Sequence, residues 1–222
     1  MFHVKHLCLL FIFLFPVFGF SQAYFKLTDK PFHHACPPDT SINDWIKAES
    51  RGRGLTPEES SFFYWVNFVR KNPISFRDFI LIPFISQFPE VEGVESQSLL
   101  TDLSNADGLD MLRLSSALTS LSRDHAKDLV YRKGKLTHNS RMGFSFSQRV
   151  KSAGITGCAA ENLYTGKNDG LLALLMLLLD LGLDPPGHRI NLLNTAYKSM
   201  SVVIAPIPNT TQVVLVQNLG CN

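Results

Sequence analysis

The sequence has little net charge, and this scarcity restricts the partners it can be expected to have. Lys and Arg together number 21 and Asp and Glu number 19 among 222 residues, which gives a formal net charge of +2. A chain-wide balance of this kind gives no reason to expect nucleic acid or an anionic membrane as a partner. Hydrophobic residues make up 45% of the chain, which is enough for one globular domain with a sizeable core.

The chain also lacks an apolar run that is long enough to span a bilayer. The N-terminal run at residues 7–20 follows a short basic head and falls short of the roughly 20 residues that a transmembrane helix needs. With the small residues Gly19 and Ser21 at its end, this pattern predicts a secretory signal peptide at residues 1–21. An uncleaved membrane anchor is the alternative. We therefore expect a secreted or periplasmic protein whose mature chain has no transmembrane span.

Cysteine is scarce as well, with four in the chain. Removal of the signal peptide leaves Cys36, Cys158 and Cys221, so one disulfide and one odd thiol are expected in an oxidising compartment. The favoured pair is Cys158–Cys221, because both residues flank segments with the pattern of strands from one core. Cys36 lies among prolines and could replace either partner.

Hydrophobic periodicity and capping residues predict an order of helices followed by a few strands. The run Thr56-Pro57-Glu58-Glu59 begins a helix with a hydroxyl cap, a proline in the first turn and two acids. Further helices are predicted at about 75–82, 96–104, 115–132, 144–153 and 171–179, with a loop at 83–95. Strands are predicted at about 158–164, 200–205 and 212–219, the last two joined as a hairpin.

These elements predict an α+β protein in which a small antiparallel sheet lies between helices as a three-layer α-β-α sandwich. The folded domain is expected to span residues 56–222. Residues 22–55 are interrupted by prolines and glycines, and only 42–48 has a briefly helical pattern. We expect this segment to form an N-terminal arm that lies over the domain.

The polar residues that could form a functional site are distant in sequence. His138 lies in an exposed loop, Glu161 on the first predicted strand, and His188 on a corner defined by Asp184-Pro185-Pro186-Gly187. Imidazole nitrogens bind zinc, and a nearby carboxylate can act as a general base or orient an imidazole. The spacing contains no His-Glu-x-x-His signature and no recognisable Ser-based or Cys-based triad. Structural roles are the alternative, as for His125 on the buried face of its helix.

Several pieces of the sequence, in the right order, resemble the CAP superfamily. This family of secreted proteins includes cysteine-rich secretory proteins, insect venom antigen 5 and plant pathogenesis-related proteins. The resemblance covers residues 56–222 and is carried by Val66–Pro73, Leu118–Leu129, Leu136–His138, Ala160–Leu163, Gly187–Asn194 and the two closing strands. The Glu-Asn-Leu and Gly-His-Arg pieces are the most specific. The size and the few cysteines look closer to bacterial single-domain members than to the cysteine-rich animal branch.

The resemblance implies a cleft lined by two histidines and usually two glutamates, with divalent metal bound by the histidines in some members. His138 and His188 match the histidines, and Glu161 matches the strand glutamate. The second glutamate belongs on the helix before the Gly-His corner, where this chain offers only Asp180 and Asp184. Asp180 is the candidate substitute acid, and it could face the cleft or point to solvent. The tryptophan that often precedes the corner is also missing.

Two main functions are compatible with this resemblance. The first is a secreted binding module for a small-molecule, lipid, protein or divalent metal ligand, because the family has no single established reaction. The second is a zinc-dependent hydrolase of an amide or ester bond, in which His138 and His188 hold Zn²⁺ and Glu161 is the general base. A structural domain with a vestigial cleft is a third reading. Metal content and the His138→Ala and His188→Ala variants discriminate among them.

Overall fold

The structure, a computed structural model, describes Leu27 and residues 30–221. The predicted signal peptide at residues 1–21 lies outside the described residues. Within the described part of the chain, no helix is long and apolar enough to cross a membrane.

Helices precede and flank a small sheet. The helices are α1 (Thr40–Ser50), α2 (Pro57–Lys71), α3 (Pro73–Phe76), α4 (Ile82–Gln87), α5 (Val94–Asn105), α6 (Ser116–Tyr131), α7 (Phe146–Ser152), α8 (Gly170–Leu179) and α9 (Gly187–Leu192). A π-helical turn (Arg77–Leu81) joins α3 to α4, and a 3₁₀ turn (Pro89–Val91) follows α4. The strands are β1 (Arg113–Leu114), β2 (Ala159–Lys167), β3 (Ser199–Pro206) and β4 (Gln212–Gly220).

The sheet has the strand order β1-β3-β4-β2, so β2 is an edge strand. The three predicted strands pair antiparallel, with Glu161 opposite Asn218 and Val203 opposite Val216. The sequence analysis missed β1, which pairs parallel to β3. A strand of two residues is too short to show the alternation on which strand prediction depends.

The helices cover both faces of the sheet, which confirms the predicted α+β sandwich. Helix α6 packs on β3 and β4, whereas α2 and α8 pack together and contact β3 and β2 respectively. Strand β4 divides its side chains between the layers: Val214 and Val216 pack in the α6 cluster, and Leu215 and Leu219 in the larger core. This is the alternation that a strand buried on both faces requires.

Helix α2 is fastened to the sheet by the residues that begin it. Thr56 caps the Glu59 amide, and Glu59 Oε2 accepts from the Thr56 amide at 2.9 Å. The other oxygen of Glu59 accepts from the Ile204 amide of β3, also at 2.9 Å. Helix α8 approaches α2 so closely that a Cβ at Gly170 would lie 2.5 Å from the Glu58 carbonyl oxygen.

The predicted loop at 83–95 is wrong, because the chain there forms α4, the 3₁₀ turn and the start of α5. Pro83 lies in the first turn of α4, where its missing N–H is tolerated. The preceding π-helical turn, in which the Ile82 amide bonds to the Arg77 carbonyl, lets the chain continue as helix.

The N-terminal segment contains more helix than its composition indicated. Helix α1 extends from Thr40 to Ser50, and its Ile42 and Ile46 side chains are buried in the main core. Ahead of it, the Phe32 ring packs edge-on against Phe84 of α4, with centroids 5.2 Å apart. This segment therefore covers the α2–α4 layer of the domain.

The expected disulfide between Cys158 and Cys221 is confirmed. It joins the start of β2 to the end of β4, and the Cys221 amide donates to the Cys158 carbonyl beside it. Cys36 is a half-buried free thiol, and burial raises its pKa. Because disulfides persist in oxidising environments, the bond accords with an exported protein.

Candidate functional site

His138 is held by a buried carboxylate from the neighbouring strand. Helix α6 ends at Tyr131, and Gly134, with φ of +81°, turns the chain into the loop that carries His138. Glu161 on β2 accepts from His138 Nδ1 at 2.9 Å. The imidazole is 55% exposed, whereas the carboxylate is only 1% exposed. A neutral imidazole that donates through Nδ1 keeps the lone pair of Nε2 available for a ligand.

Arg149 of α7 neutralises Glu161 and was missed by the sequence analysis. Its Nη2 atom lies 2.7 and 2.9 Å from the two carboxylate oxygens, and it also donates to the His138 carbonyl at 3.0 Å. Both side chains are at least nine-tenths buried. Because Arg149 is 12 residues from Glu161 and lies on another element, the sequence contains no local signal of this pairing.

His125 completes the buried surroundings of Glu161. Its Nε2 atom donates to the Thr137 carbonyl at 2.8 Å and lies 3.7 Å from Glu161 Oε1. Burial lowers the pKa of His125 and Arg149 lowers it further, although the Glu161 carboxylate opposes both. The core role that the sequence favoured for His125 therefore agrees with its burial and its hydrogen bond.

His188 is held in a similar way by a carboxylate at the end of α8. Asp180 follows α8 in a left-handed conformation, with φ of +52°, and its side chain is 1% exposed. Its Oδ1 atom accepts from His188 Nδ1 at 2.5 Å, which again leaves Nε2 without a carboxylate partner. The Asp180 side chain therefore faces His188 and does not point to solvent.

The same carboxylate also begins helix α9. Asp180 Oδ2 accepts from the backbone amides of His188 and Arg189 at 2.8 and 3.0 Å. Pro186, the residue before α9, has no side chain that can cap the helix. Asp180, eight residues before His188, takes that role instead. Arg189 is buried and donates to the carbonyl of Leu178, which holds the end of α8 against α9. These bonds fix the position of His188.

Adjacent residues of β2 contact the two histidine-carboxylate pairs. Glu161 belongs to the first pair, and the neighbouring Asn162 lies 3.4 Å from the His188 carbonyl through Nδ2. Asn162 also bonds to Asn191 of α9 and to Gln217 of β4. The His138 side chain and the His188 backbone therefore both lie against this strand, at adjacent residues.

The donor set for a metal ion is limited. Within the described residues, no group of three or more His, Cys, Asp or Glu side chains is arranged to hold a metal ion. Catalytic zinc sites typically have three protein ligands.

An open groove of about 400 Å³ lies elsewhere, beside α7. Phe146, Val150 and Ile155 contribute its apolar lining, and none of the four predicted site residues lines it. The groove is therefore separate from the histidine-carboxylate pairs.

Comparison with known proteins places this chain in a family. The family model described as the cysteine-rich secretory protein family, CAP, matches residues 66–219, more than two thirds of the chain. The chain belongs to the CAP family. No protein with curated annotation matches it at a significant level. The matched range contains both histidines and both acids of the candidate site.

Solved structures with limited similarity include three bacterial proteins. An outer surface protein of Borrelia burgdorferi is 18% identical, with 50% of this chain and 78% of that chain covered and a TM-score of 0.43. An extracellular protein of Bacillus anthracis that contains an SCP domain is 18% identical, with 76% of this chain and 45% of that chain covered and a TM-score of 0.45. A cysteine-rich secretory protein of Staphylococcus aureus is 15% identical, with 58% of this chain and 36% of that chain covered and a TM-score of 0.39. The CAP chain spans less than half the length of the last two.

Proposed function

We propose that this CAP protein is an exported binding module and that a divalent metal ion is the ligand of its histidine pair. The observation that carries the proposal is that each histidine uses Nδ1 on a buried carboxylate, Glu161 for His138 and Asp180 for His188. Histidines that bind metal commonly donate their other ring N–H to a carboxylate, which fixes the tautomer and orients the ring. Both imidazoles are thereby prepared to bind through Nε2.

A shared ligand at the edge of β2 is supported by the way in which each histidine reaches that strand. His138 is tied to Glu161, and the His188 backbone is tied to Asn162, the next residue. Among the described residues, no strand lies on the side of β2 that is far from β4. The metal would be completed by solvent, because the described residues provide no third protein ligand of the usual kinds.

A zinc-dependent hydrolase has less support from the same contacts. Both oxygens of Glu161 accept from Arg149, and Oε1 also accepts from His138. A general base must have an oxygen within reach of the water that it deprotonates. Glu161 would have to leave these partners to act as one, so the contacts favour a positioning role for it.

A calorimetric titration of the chain from Gln22 onward with Zn²⁺ tests the proposal. We expect one equivalent of Zn²⁺ to bind to the wild type and measurable binding to be lost in His138→Ala and in His188→Ala. Asp180→Asn should weaken affinity about 10- to 100-fold, because residues that orient metal ligands commonly have effects of this size.

His33→Ala is the matched control, since His33 is exposed and precedes α1. It should bind as the wild type does. Equal loss in the control, or retention of full affinity in either site variant, would contradict a site made by His138 and His188. A screen with ester and peptide substrates separates binding from hydrolysis. If the wild type turns over a substrate and His138→Ala does not, the protein is a hydrolase and the binding-module proposal is wrong.

A further inference from the structure

The positive charge of this chain is concentrated in one segment. Residues 129–160 contain six Lys and Arg and no Asp or Glu. The other 190 residues therefore carry 15 basic and 19 acidic side chains, so the near-neutral total conceals a strongly basic region. The acids at the two ends of this segment are engaged: Asp128 accepts from the Arg141 amide, and Glu161 is buried against Arg149.

The same segment exposes large apolar side chains. We call residues 131–144 the basic loop; within it, Tyr131 is 68%, Met142 77% and Phe144 53% exposed. The Arg141 guanidinium lies 4.7 Å from the centre of the Tyr131 ring. Lys133 and Lys135, both exposed, lie in the turn just after Tyr131. Apolar side chains among cations distinguish this surface from an ordinary solvated charged loop.

Hydrogen bonds hold the basic loop in this conformation. The Ser140 amide donates to the Phe144 carbonyl at 2.8 Å, and the Phe144 amide donates back to Ser140 Oγ at 3.0 Å. Arg132 Nη2 donates to the Ser140 carbonyl at 3.2 Å, which ties the loop to the end of α6. Because the tip is already ordered, binding through Met142 and Phe144 would cost little conformational entropy.

We propose that the basic loop docks on a lipid bilayer that contains anionic headgroups. Met142, Phe144 and Tyr131 enter the interface between headgroups and acyl chains, while Lys133, Lys135 and Arg141 contact the phosphates. A free phosphate or a nucleic-acid backbone would satisfy the cations but would leave Met142 and Phe144 in water. The bilayer interface satisfies both, and none of the six side chains that make these contacts is His138 or His188, the proposed metal ligands.

Cosedimentation with vesicles tests the proposal. The wild type should bind vesicles of equimolar phosphatidylcholine and phosphatidylglycerol and should bind phosphatidylcholine vesicles at least about tenfold more weakly. Lys133→Glu with Lys135→Glu should reduce binding to the anionic vesicles about tenfold or more, because each basic residue near such a surface contributes roughly a fivefold factor. Met142→Ser with Phe144→Ser should also reduce it about tenfold, since apolar area no longer enters the interface.

Matched controls carry the same changes at other exposed sites. Arg51→Glu with Arg53→Glu reverses two charges, and Ile74→Ser with Ile82→Ser removes two exposed apolar side chains. Both controls should bind within about twofold of the wild type, and unchanged circular dichroism will show that all variants fold. Equal binding to both kinds of vesicle, or controls that lose as much binding as the loop variants, would overturn the proposal.

Two further measurements separate the bilayer from other polyanions. If the serine variant binds anionic vesicles as well as the wild type does, adsorption is purely electrostatic and insertion is wrong. If inorganic phosphate at the concentration of lipid phosphorus displaces the protein, or if a DNA oligonucleotide binds as tightly as the anionic vesicles, the bilayer is not the partner. We expect neither competitor to match the vesicles. Zinc binding should be unchanged in Lys133→Glu with Lys135→Glu, so the two proposals can fail separately.

Discussion

At the scale of single residues, the buried carboxylate of Glu161 depends on the side chains around it. The carboxylate is 1% exposed and would be costly to ionise without partners. Arg149 supplies the compensating charge, and His138 and the more distant His125 complete the surroundings. The charge of Glu161 is therefore committed to holding α7 and the His138 loop on β2.

The Arg149–Glu161 pair gives a stability prediction. Arg149→Met should lower the free energy of unfolding by about 3 kcal/mol, because it leaves a buried carboxylate without its counter-charge. Combining it with Glu161→Gln should recover most of the loss. Urea denaturation at neutral pH measures both.

The exposed Lys127–Asp124 pair provides the control for this experiment. Its side chains are 70% and 77% exposed, so Lys127→Met should cost less than about 0.5 kcal/mol. A similar cost for Arg149→Met would mean that Glu161 does not need the guanidinium to remain buried.

At the scale of elements, α1 is joined to α2 by the residue that begins it. Asp39 Oδ1 accepts from the amides of Ser41 and Ile42, and Oδ2 accepts from Lys71 and Asn72 at the end of α2. Partial burial favours the neutral acid, but these hydrogen bonds outweigh it and hold the pKa of the Asp39 carboxyl well below its ordinary value. One side chain thus caps a helix and attaches it to the domain.

Asp39→Ala should therefore destabilise the protein by about 1–2 kcal/mol, the usual range for loss of a helix cap. A lowered pKa means that the folded state holds the proton less tightly than the unfolded state does. The stabilisation is thus complete above pH 3.8, the ordinary value, and is lost as pH falls further. Thermal denaturation should show a gap between variant and wild type at pH 7 that narrows below pH 4.

Asp44→Ala, in the same helix, is the control for the capping effect. Asp44 is 77% exposed and lies 3.6 Å from Lys47, so its loss should change stability by less than about 0.5 kcal/mol. If Asp44→Ala and Asp39→Ala were equally destabilising, the capping role would be wrong.

For the whole molecule, the disulfide joins the ends of two neighbouring strands over a long stretch of chain. Cys158 and Cys221 are 63 residues apart in sequence, and the intervening segment contains all of β2, α8, α9, β3 and β4. A cross-link of this span restricts the unfolded chain strongly. Its contribution is therefore global and is not confined to the strand ends.

Replacing both Cys158 and Cys221 with serine should lower the free energy of unfolding by about 4 kcal/mol, the chain-entropy value for a loop of this length. Guanidinium denaturation measures it, and reductant added to the wild type should have the same effect. Cys36→Ser is the control, because that thiol is free, and it should change stability by less than about 1 kcal/mol. An unchanged double variant would mean that the disulfide does not stabilise the fold.

Much of this architecture was predictable because the signals lie close together in the chain. The Thr56–Glu59 capping box, the leucine run of α8 and the valine-rich runs of β3 and β4 each determine an element from its own residues. The sequence did not reveal the helices within residues 83–95 or strand β1, because a π-helical turn and a parallel partner strand decide them.

The sequence by itself determined the family and the three main strands, because each depends on a local pattern or on motifs in order. It favoured the Cys158–Cys221 disulfide over pairings with Cys36, and it named four candidate site residues. Only the tertiary structure decided how the site is held. It paired Asp180 with His188, brought Arg149 onto Glu161 and placed Arg141 over the Tyr131 ring. These contacts join residues from different elements, and burial and charge become definite only when the elements pack.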